Sequence, residues 1–332
     1  MASFFNLGLG LRIPGIMRAF FCFAGATAEV VFFQPQAGVY QTAMAPALPS
    51  PVAYEPANFP QVVVGGSQAA RSGPGPVAAV LMGLVAGVAV SKVRSLFAVE
   101  GVETSSSGEG LDFKMSFTKD GKAISPWHDI PAMDGDMVNF ICEIPKYGLA
   151  KMECDTKGEN NPIVQDEKGG KPRFYHGKIF WNYGFVPQTW ENPGEKDKAT
   201  DCFGDGDPLD VVEIGSSSLE MGSITSVKPL GALAMIDDGE LDWKLIAINS
   251  ADPLAADLND ISDVESKCPG VVSGIREWFR WYKTPDGKPL NAFGYGEAAL
   301  TKSESMDIIK DLQKEWKNLY EGKTEQGKMW LK

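Results

Sequence analysis

Histidine is almost missing from this 332-residue sequence, which has only His128 and His176. That scarcity excludes a His-rich metal site and most histidine-based nucleophilic relays. The five cysteines, Cys22, Cys142, Cys154, Cys202 and Cys268, are odd in number and lack C-x-x-C spacing. Neither a disulfide framework nor a zinc site is expected from them, and they read as reduced thiols. Basic charge is in deficit, with 31 Lys and Arg against 43 Asp and Glu and a formal charge of −12. Neutralising a nucleic-acid backbone needs clustered cations, so no nucleic-acid partner is expected. There is no G-x-x-x-x-G-K-[ST] sequence and no kinase-like glycine loop, so any phosphate ligand is small and compact rather than a nucleotide.

What is present divides the chain in two. Residues 1–100 carry Arg12, Arg18, Arg71, Lys92 and Arg94 against Glu29, Glu55 and Glu100, a net of +2, which leaves −14 for the rest. Residues 1–28 read as a signal-like segment: Arg12 and Arg18 precede the apolar run from Ala19 to Ala24, and Ala26-Thr-Ala28 offers an A-x-A cleavage site. A Pro/Ala-rich spacer, 29–76, follows. Residues 77–90 form a second apolar segment of fourteen residues before Lys92 and Arg94, shorter than the roughly 20 needed for a comfortable membrane span. This order resembles the bipartite leaders that carry proteins into the complex plastids of algae. The resemblance implies a plastid location in the chloroplast stroma, with the mitochondrion as the alternative, a mature start between about Ser91 and Gly110, and membrane contact only through the leader.

From Gly101 the chain reads as one acidic domain, 101–332, entered through a linker at Thr104-Ser-Ser-Ser-Gly108. Short β-rich runs dominate its middle: Met137 to Ile144, Lys151 to Glu153, Val211 to Ile214, Ser226 to Ile236 and Leu241 to Ile248. Gly, Pro, Asn and Asp clusters separate them, which points to a mainly β barrel or sandwich rather than a doubly wound sheet. Helical stripes come late. One, within Asp263 to Lys283, comprises Val271, Ile275, Trp278, Phe279 and Tyr282; the other, within Ser303 to Gly322, comprises Ile308, Ile309, Leu312, Trp316 and Leu319, with Ser303 or Ser305 as cap. Both are packing faces, and Arg280 reads as a surface charge.

The chemistry lies in oddly placed acids. Asp205, Asp207 and Asp210 fall within six residues at the entrance to a hydrophobic strand, where mutual repulsion is costly unless a cation or proton compensates. An EF-hand does not fit, because counting from Asp205 the sixth position is Asp210 and the twelfth is Ser216. A hairpin turning at Asp238-Gly239 brings Asp237 near Asp242, and strand parity sets Asp242 with Lys244 and Lys151 with Glu153. Oxygen-only carboxylate sites select hard cations such as Mg²⁺ or Mn²⁺. Lys151, Arg173, Lys244 and Lys283, with Tyr183 and Tyr282, supply donors suited to phosphate oxygens. Together the two sets suggest metal-assisted phosphoryl chemistry.

The residues themselves resemble a known family. Asp205-Gly-Asp-Pro-Leu-Asp210 is similar to the D-x-D-P-x-D signature of the soluble family I inorganic pyrophosphatases, eukaryotic subtype. The likeness runs in order through Val138 to Pro145, Ala150 to Glu153, Asn161 to Asp166, Lys171 to Phe174, Asn182 to Glu191, Asp237 to Lys244 and Trp278 to Pro289. It implies a closed OB-like five-stranded β-barrel with extra strands, flanking α-helices and C-terminal helices, and Mg-dependent hydrolysis of pyrophosphate by metal-activated water. Several Mg²⁺ ions per site are implied, with Mn²⁺ an alternative. By the same likeness Asp205, Asp210 and Asp242 hold a metal pair, Asp237 and Glu153 help bind metals arriving with substrate, and Asp207 is the general base. Lys151, Arg173, Tyr183, Tyr282 and Lys283 contact the phosphoryl groups, Lys244 lies beside the metals, and Glu143 and Glu191 are supporting acids. A homodimer or monomer is implied. One departure stands out: eukaryotic members often have a tyrosine between positions matching Gly177 and Asn182, where this chain has Lys178-Ile-Phe-Trp181 and a shorter segment after Arg173. The competing reading is a catalytically weak, pyrophosphatase-like structural or assembly subunit at a plastid membrane. A phosphatase of organic phosphate esters is a third.

Overall fold

The computed structural model describes residues 99–332. The leader segments and Cys22 lie outside the described residues. Among the described residues, thirteen strands and three α-helices follow in order. The strands are β1 (Val102–Ser107), β2 (Lys114–Lys119), β3 (Lys122–Ile124), β4 (Met133–Asp134), β5 (Met137–Ile144), β6 (Met152–Cys154), β7 (Ile163–Gln165), β8 (Asn182–Phe185), β9 (Asp210–Glu213), β10 (Ile224–Asp237), β11 (Glu240–Asn249), β12 (Ala292–Phe293) and β13 (Leu300–Thr301). The helices are α1 (Ile261–Lys267), α2 (Val271–Trp281) and α3 (Lys302–Tyr320). The fold is mainly β with a few C-terminal helices, as the spacing of apolar runs predicts.

Strands β5, β8, β9, β11 and β10 pair in succession, and β10 pairs back onto β5, so the hydrogen-bonded ladder returns on itself through five strands. Within this ring only β9 and β11 run parallel, and their register sets Asp210 beside Lys244. A smaller sheet, β1-β2-β7-β6 with β3 on β2, leans Lys151 and Glu153 toward the same region.

Alternation along β11 shows how one strand serves two purposes. Leu241, Trp243, Leu245 and Ala247 belong to a core layer shared with Ile309 of α3, whereas Ile246 and Ile248 join the larger core cluster with Val272, Ile275 and Phe279 of α2. Asp242 and Lys244 share the parity of Ile246 and Ile248. The strand is therefore apolar on one face throughout, and on the other it changes from ionic to apolar along its length. The fully buried apolar residues around it hold the ionic end in place.

Four local expectations are corrected. Thr104 to Ser107 is strand rather than linker, paired antiparallel from Val102↔Lys119 to Ser107↔Lys114. It is an exposed edge strand, so its polar composition reads like a spacer. The first helical stretch is two helices. Pro269 cannot donate to a continuing helix, and Gly270, at φ +89°, takes the left-handed conformation that starts α2 afresh. The cap of α3 is Thr301, not Ser303 or Ser305: its hydroxyl accepts from Glu304 N–H at 3.3 Å, and the Glu304 carboxylate accepts from Thr301 N–H at 2.8 Å. Arg280 is half-buried rather than a free surface charge, held by Glu277 at 3.0 Å and Glu297 at 2.8 Å with its guanidinium 5.2 Å from the Phe293 ring centre.

Among the described residues no helix is long and apolar enough to cross a membrane. No described cysteine is in a disulfide, and Cys142 and Cys154 are buried.

Candidate active site

The acidic loop before β9 is folded by its own backbone. Asp207 N–H donates to Asp205 Oδ1 at 2.9 Å, and Gly206 between them, at φ +92°, takes a backbone shape that side chains disfavour. Glu191 clamps the loop through its main chain: Gly206 N–H donates to Glu191 O at 2.8 Å and Glu191 N–H to Asp207 O at 2.9 Å. Trp190 Nε1 donates to Gly206 O at 2.9 Å. A rigid turn thus carries three carboxylates to one end of the five-strand ring.

That end opens into a cavity of about 150 Å³. Asp205, Asp207, Asp210, Asp237, Asp242, Glu143 and Glu153 line it, together with Lys151, Arg173, Lys244, Lys283, Tyr183 and Tyr282. Every site residue expected from the sequence except Glu191 therefore shares one wall system. Glu191 lies behind the loop, buried, where its carboxylate accepts from Trp243 N–H at 3.2 Å.

The cations and acids interleave. Lys244 donates to Asp210 at 2.5 Å and to Asp242, and also to the Tyr183 hydroxyl at 3.0 Å, while Tyr183 donates to Asp210. Lys151 donates to Glu153 and lies 3.0 Å from Asp166. Lys283 and Tyr282 both donate to Asp237 Oδ2, the latter at 3.1 Å. Among the described residues no three acids converge into a ready cation cage; lysines sit against them instead.

Electrostatics follow from this crowding. Burial, then repulsion from Asp242 and Asp207, holds the Asp205 carboxyl well above the ordinary range. Desolvation, then Glu153 and Asp210, pushes Asp207 up to about 6, and burial with Asp210 outweighs Lys244 to push Asp242 up to about 7. Burial also raises Glu143, which accepts from Cys154 N–H at 2.6 Å, and Glu191. Lys244 is drawn upward despite burial, because Asp210 and Asp242 hold its charge.

The donor set fits hard divalent cations. It is oxygen-only and acid-rich, its acids are strained upward by one another, and Asp237 Oδ1 is buried with no hydrogen-bond partner. An unpaired buried carboxylate oxygen in such a trough is suited to a metal.

Two contributors were not singled out from the sequence. Asp166 bridges Lys151 at 3.0 Å and Arg173 Nη1 at 2.9 Å, and these cations outweigh burial to hold its carboxyl below the usual range. Its signal was its place at the end of a β-rich run, seven residues before Arg173. Tyr175 brings a buried phenol to the wall from the short segment after Arg173. Residues 178–181 supply no tyrosine to this wall, and Tyr175 lies on it from an earlier position.

Fold and wall chemistry together describe a mainly β protein with an acid-and-lysine cavity suited to hard cations and oxyanions. The profile of the inorganic pyrophosphatase family matches residues 140–317, and the chain belongs to that family. It is 48% identical over 233 residues to soluble inorganic pyrophosphatase 6, chloroplastic, of Arabidopsis thaliana, covering 69% of this chain and 78% of that one. Among solved structures it is similar to type I inorganic pyrophosphatase from Toxoplasma gondii, with TM-score 0.64 and 46% identity, covering 66% of this chain and 99% of that one. It is also similar to an N-terminally truncated vacuolar soluble pyrophosphatase of Trypanosoma cruzi in complex with PPi, with TM-score 0.64 and 40% identity, covering 66% and 91%.

Proposed function

We propose that the chain hydrolyses inorganic pyrophosphate to two orthophosphates using Mg²⁺, with Mn²⁺ as a substitute. The observation that carries this reading is the single cavity in which Asp205, Asp207, Asp210, Asp237 and Asp242 face Lys151, Arg173, Lys244 and Lys283. Asp205, Asp210 and Asp242, with Asp237 and Glu153, would hold the cations. Bound there, the cations would neutralise phosphoryl charge and make water acidic enough to deprotonate near neutral pH.

The side chains do the rest. Asp207 takes the proton of the attacking water at its carboxylate, a role suited to a group held near 6. Lys151, Arg173, Lys283 and the hydroxyls of Tyr183 and Tyr282 orient the two phosphoryl groups and spread their charge. Water oxygen bonds to one phosphorus as the bridging P–O bond breaks, and the departing phosphate takes up a proton. Asp166 keeps Lys151 and Arg173 aimed at the substrate. Lys244 screens Asp210 from Asp242, Glu143 completes the acidic wall, and Glu191 buttresses it from behind.

Residues 1–100 act as a targeting leader and 101–332 as the catalytic domain, with cleavage ahead of Val102 so that β1 is kept. A plastid location accords with the chloroplastic relative. The catalytic domain works as a homodimer or monomer. The assembly-subunit alternative loses ground, because a non-catalytic descendant has no use for so many mutually repelling carboxylates.

A Mg²⁺-dependent orthophosphate-release assay on the full chain tests the reading. Turnover of pyrophosphate is expected to vanish with EDTA and to fall by about 100-fold or more in Asp207→Asn. Absence of turnover, unchanged turnover in Asp207→Asn, or equal hydrolysis of a phosphate monoester overturns it.

A further inference from the structure

We propose that Tyr175 is an additional substrate-binding residue, its phenol O–H donating to a phosphoryl oxygen of bound pyrophosphate. The inference rests on the pyrophosphate reading of the cavity and adds a donor that the acid-and-lysine pattern does not include.

The ring is rigidly placed. Tyr175 is 7% exposed, and its main-chain N–H donates to Leu149 O at 2.7 Å. Trp278 meets the ring edge-on at 5.0 Å, and Tyr282 does so at 6.0 Å. The residue forms part of a partition. On one side is the catalytic cavity, and on the other a separate hollow of about 330 Å³ lined by Trp278, Trp281 and Pro285.

The hydroxyl is set apart from the other two phenols of the cavity by its lack of a partner. Tyr183 donates to Asp210 and Tyr282 to Asp237. Among the described residues, the Tyr175 hydroxyl has no hydrogen bond. Its charged neighbours are Lys151, Asp210, Lys244 and Arg173, all on the cavity wall, and burial keeps the phenol protonated as a donor. The ring is buried while the hydroxyl, without a protein partner, opens onto a cavity of cations and metal-binding acids, a setting in which an oxyanion is a fitting acceptor. Its position two residues after Arg173 places it beside a guanidinium suited to the same ligand.

Tyr175→Phe removes the hydroxyl and keeps the ring. In the full chain with Mg²⁺, KM for pyrophosphate is expected to rise about tenfold, the usual effect of losing one hydrogen bond to a charged group. Orthophosphate binding by calorimetry weakens in parallel, and the thermal midpoint is unchanged. Unchanged KM and orthophosphate affinity overturn the proposal. A fall in thermal midpoint in step with the loss of kcat/KM also overturns it, because that marks a packing role. If the wild-type chain releases no orthophosphate, the hydrolase reading fails instead, and pyrophosphate calorimetry on wild type against Tyr175→Phe decides the role of Tyr175 separately.

Discussion

Lys244 and Asp210 stand side by side across the only parallel pairing in the five-strand ring, with the Lys244 ammonium 2.5 Å from Asp210 and 2% exposed. The same ammonium contacts Asp242, so one buried cation screens two acids that otherwise repel. Lys244→Met leaves both acids uncompensated. Loss of one partner from a buried ionic cluster costs about 3–5 kcal/mol, so a clear drop in thermal midpoint is expected. Adding Mg²⁺ recovers more of that drop in the variant than it adds in wild type, because a cation substitutes for the lost charge. Equal Mg²⁺ effects in scanning calorimetry would count against Lys244 as the screening charge.

Asp166 touches two cations that the proposed function assigns to phosphate. Asp166→Asn keeps its shape and removes its charge, freeing Lys151 and Arg173 from a common anchor. KM for pyrophosphate is expected to rise several-fold while the thermal midpoint moves little, since partly exposed pairs contribute only about 0–1 kcal/mol. Steady-state kinetics beside a melting curve check it, and an unaltered KM would leave Asp166 without a positioning role.

Gly204 precedes the acidic turn and lies against Glu191. A Cβ there would fall 2.6 Å from Glu191 O and 2.9 Å from Asn192 N, and backbone atoms cannot yield easily. Gly204→Ala is expected to displace the turn carrying Asp205 and Asp207, so turnover falls by about tenfold or more. Orthophosphate release measured together with circular dichroism separates displacement of the turn from global unfolding; wild-type turnover would show that the turn tolerates the shift.

His128 makes stability pH-dependent at a distance from the cavity. Trp316 Nε1–H donates to Nδ1 at 2.9 Å, so the ring donates through Nε2 to Trp330 O at 3.0 Å and is neutral. Burial lowers its pKa from 6.5 to about 4. The unfolded chain therefore binds a proton first. Stability from this residue is complete above about pH 6.5 and falls by up to about 1.4 kcal/mol per unit as pH drops toward about 4. Urea midpoints at pH 7 and pH 5 should differ more for wild type than for His128→Gln, and identical differences would exclude the residue as the source.

Much of this was legible along the chain. The short β-rich runs from Met137 to Ile248 are set off by Gly, Pro, Asn and Asp clusters, and the Asp205 to Asp210 run is acid where burial punishes acid, which is why it stands out as chemistry. Parity alone placed Asp242 with Lys244, and the hairpin turn placed Asp237 near them. The edge strand at Thr104 to Ser107 was not legible, because a solvated edge has no apolar face to alternate. Nor was the break at Pro269-Gly270 within an otherwise continuous apolar stripe.

Local sequence by itself determined most of the central strands, the acidic turn, the lysine-acid parity and, through the ordered signature residues, the family. These depend on contacts between near neighbours in the chain, whose geometry the backbone repeats dictate. Only the tertiary structure decided that Asp166 serves Lys151 and Arg173 together, that Lys244 screens two acids on neighbouring strands, and that Tyr175 shares a wall with Tyr282. Those relations join residues from strands and loops far apart in sequence, and parallel register, ring closure and the packing of α2 onto the barrel bring them together. No periodicity along one segment records such meetings, because they depend on how separate segments bury their apolar faces against one another.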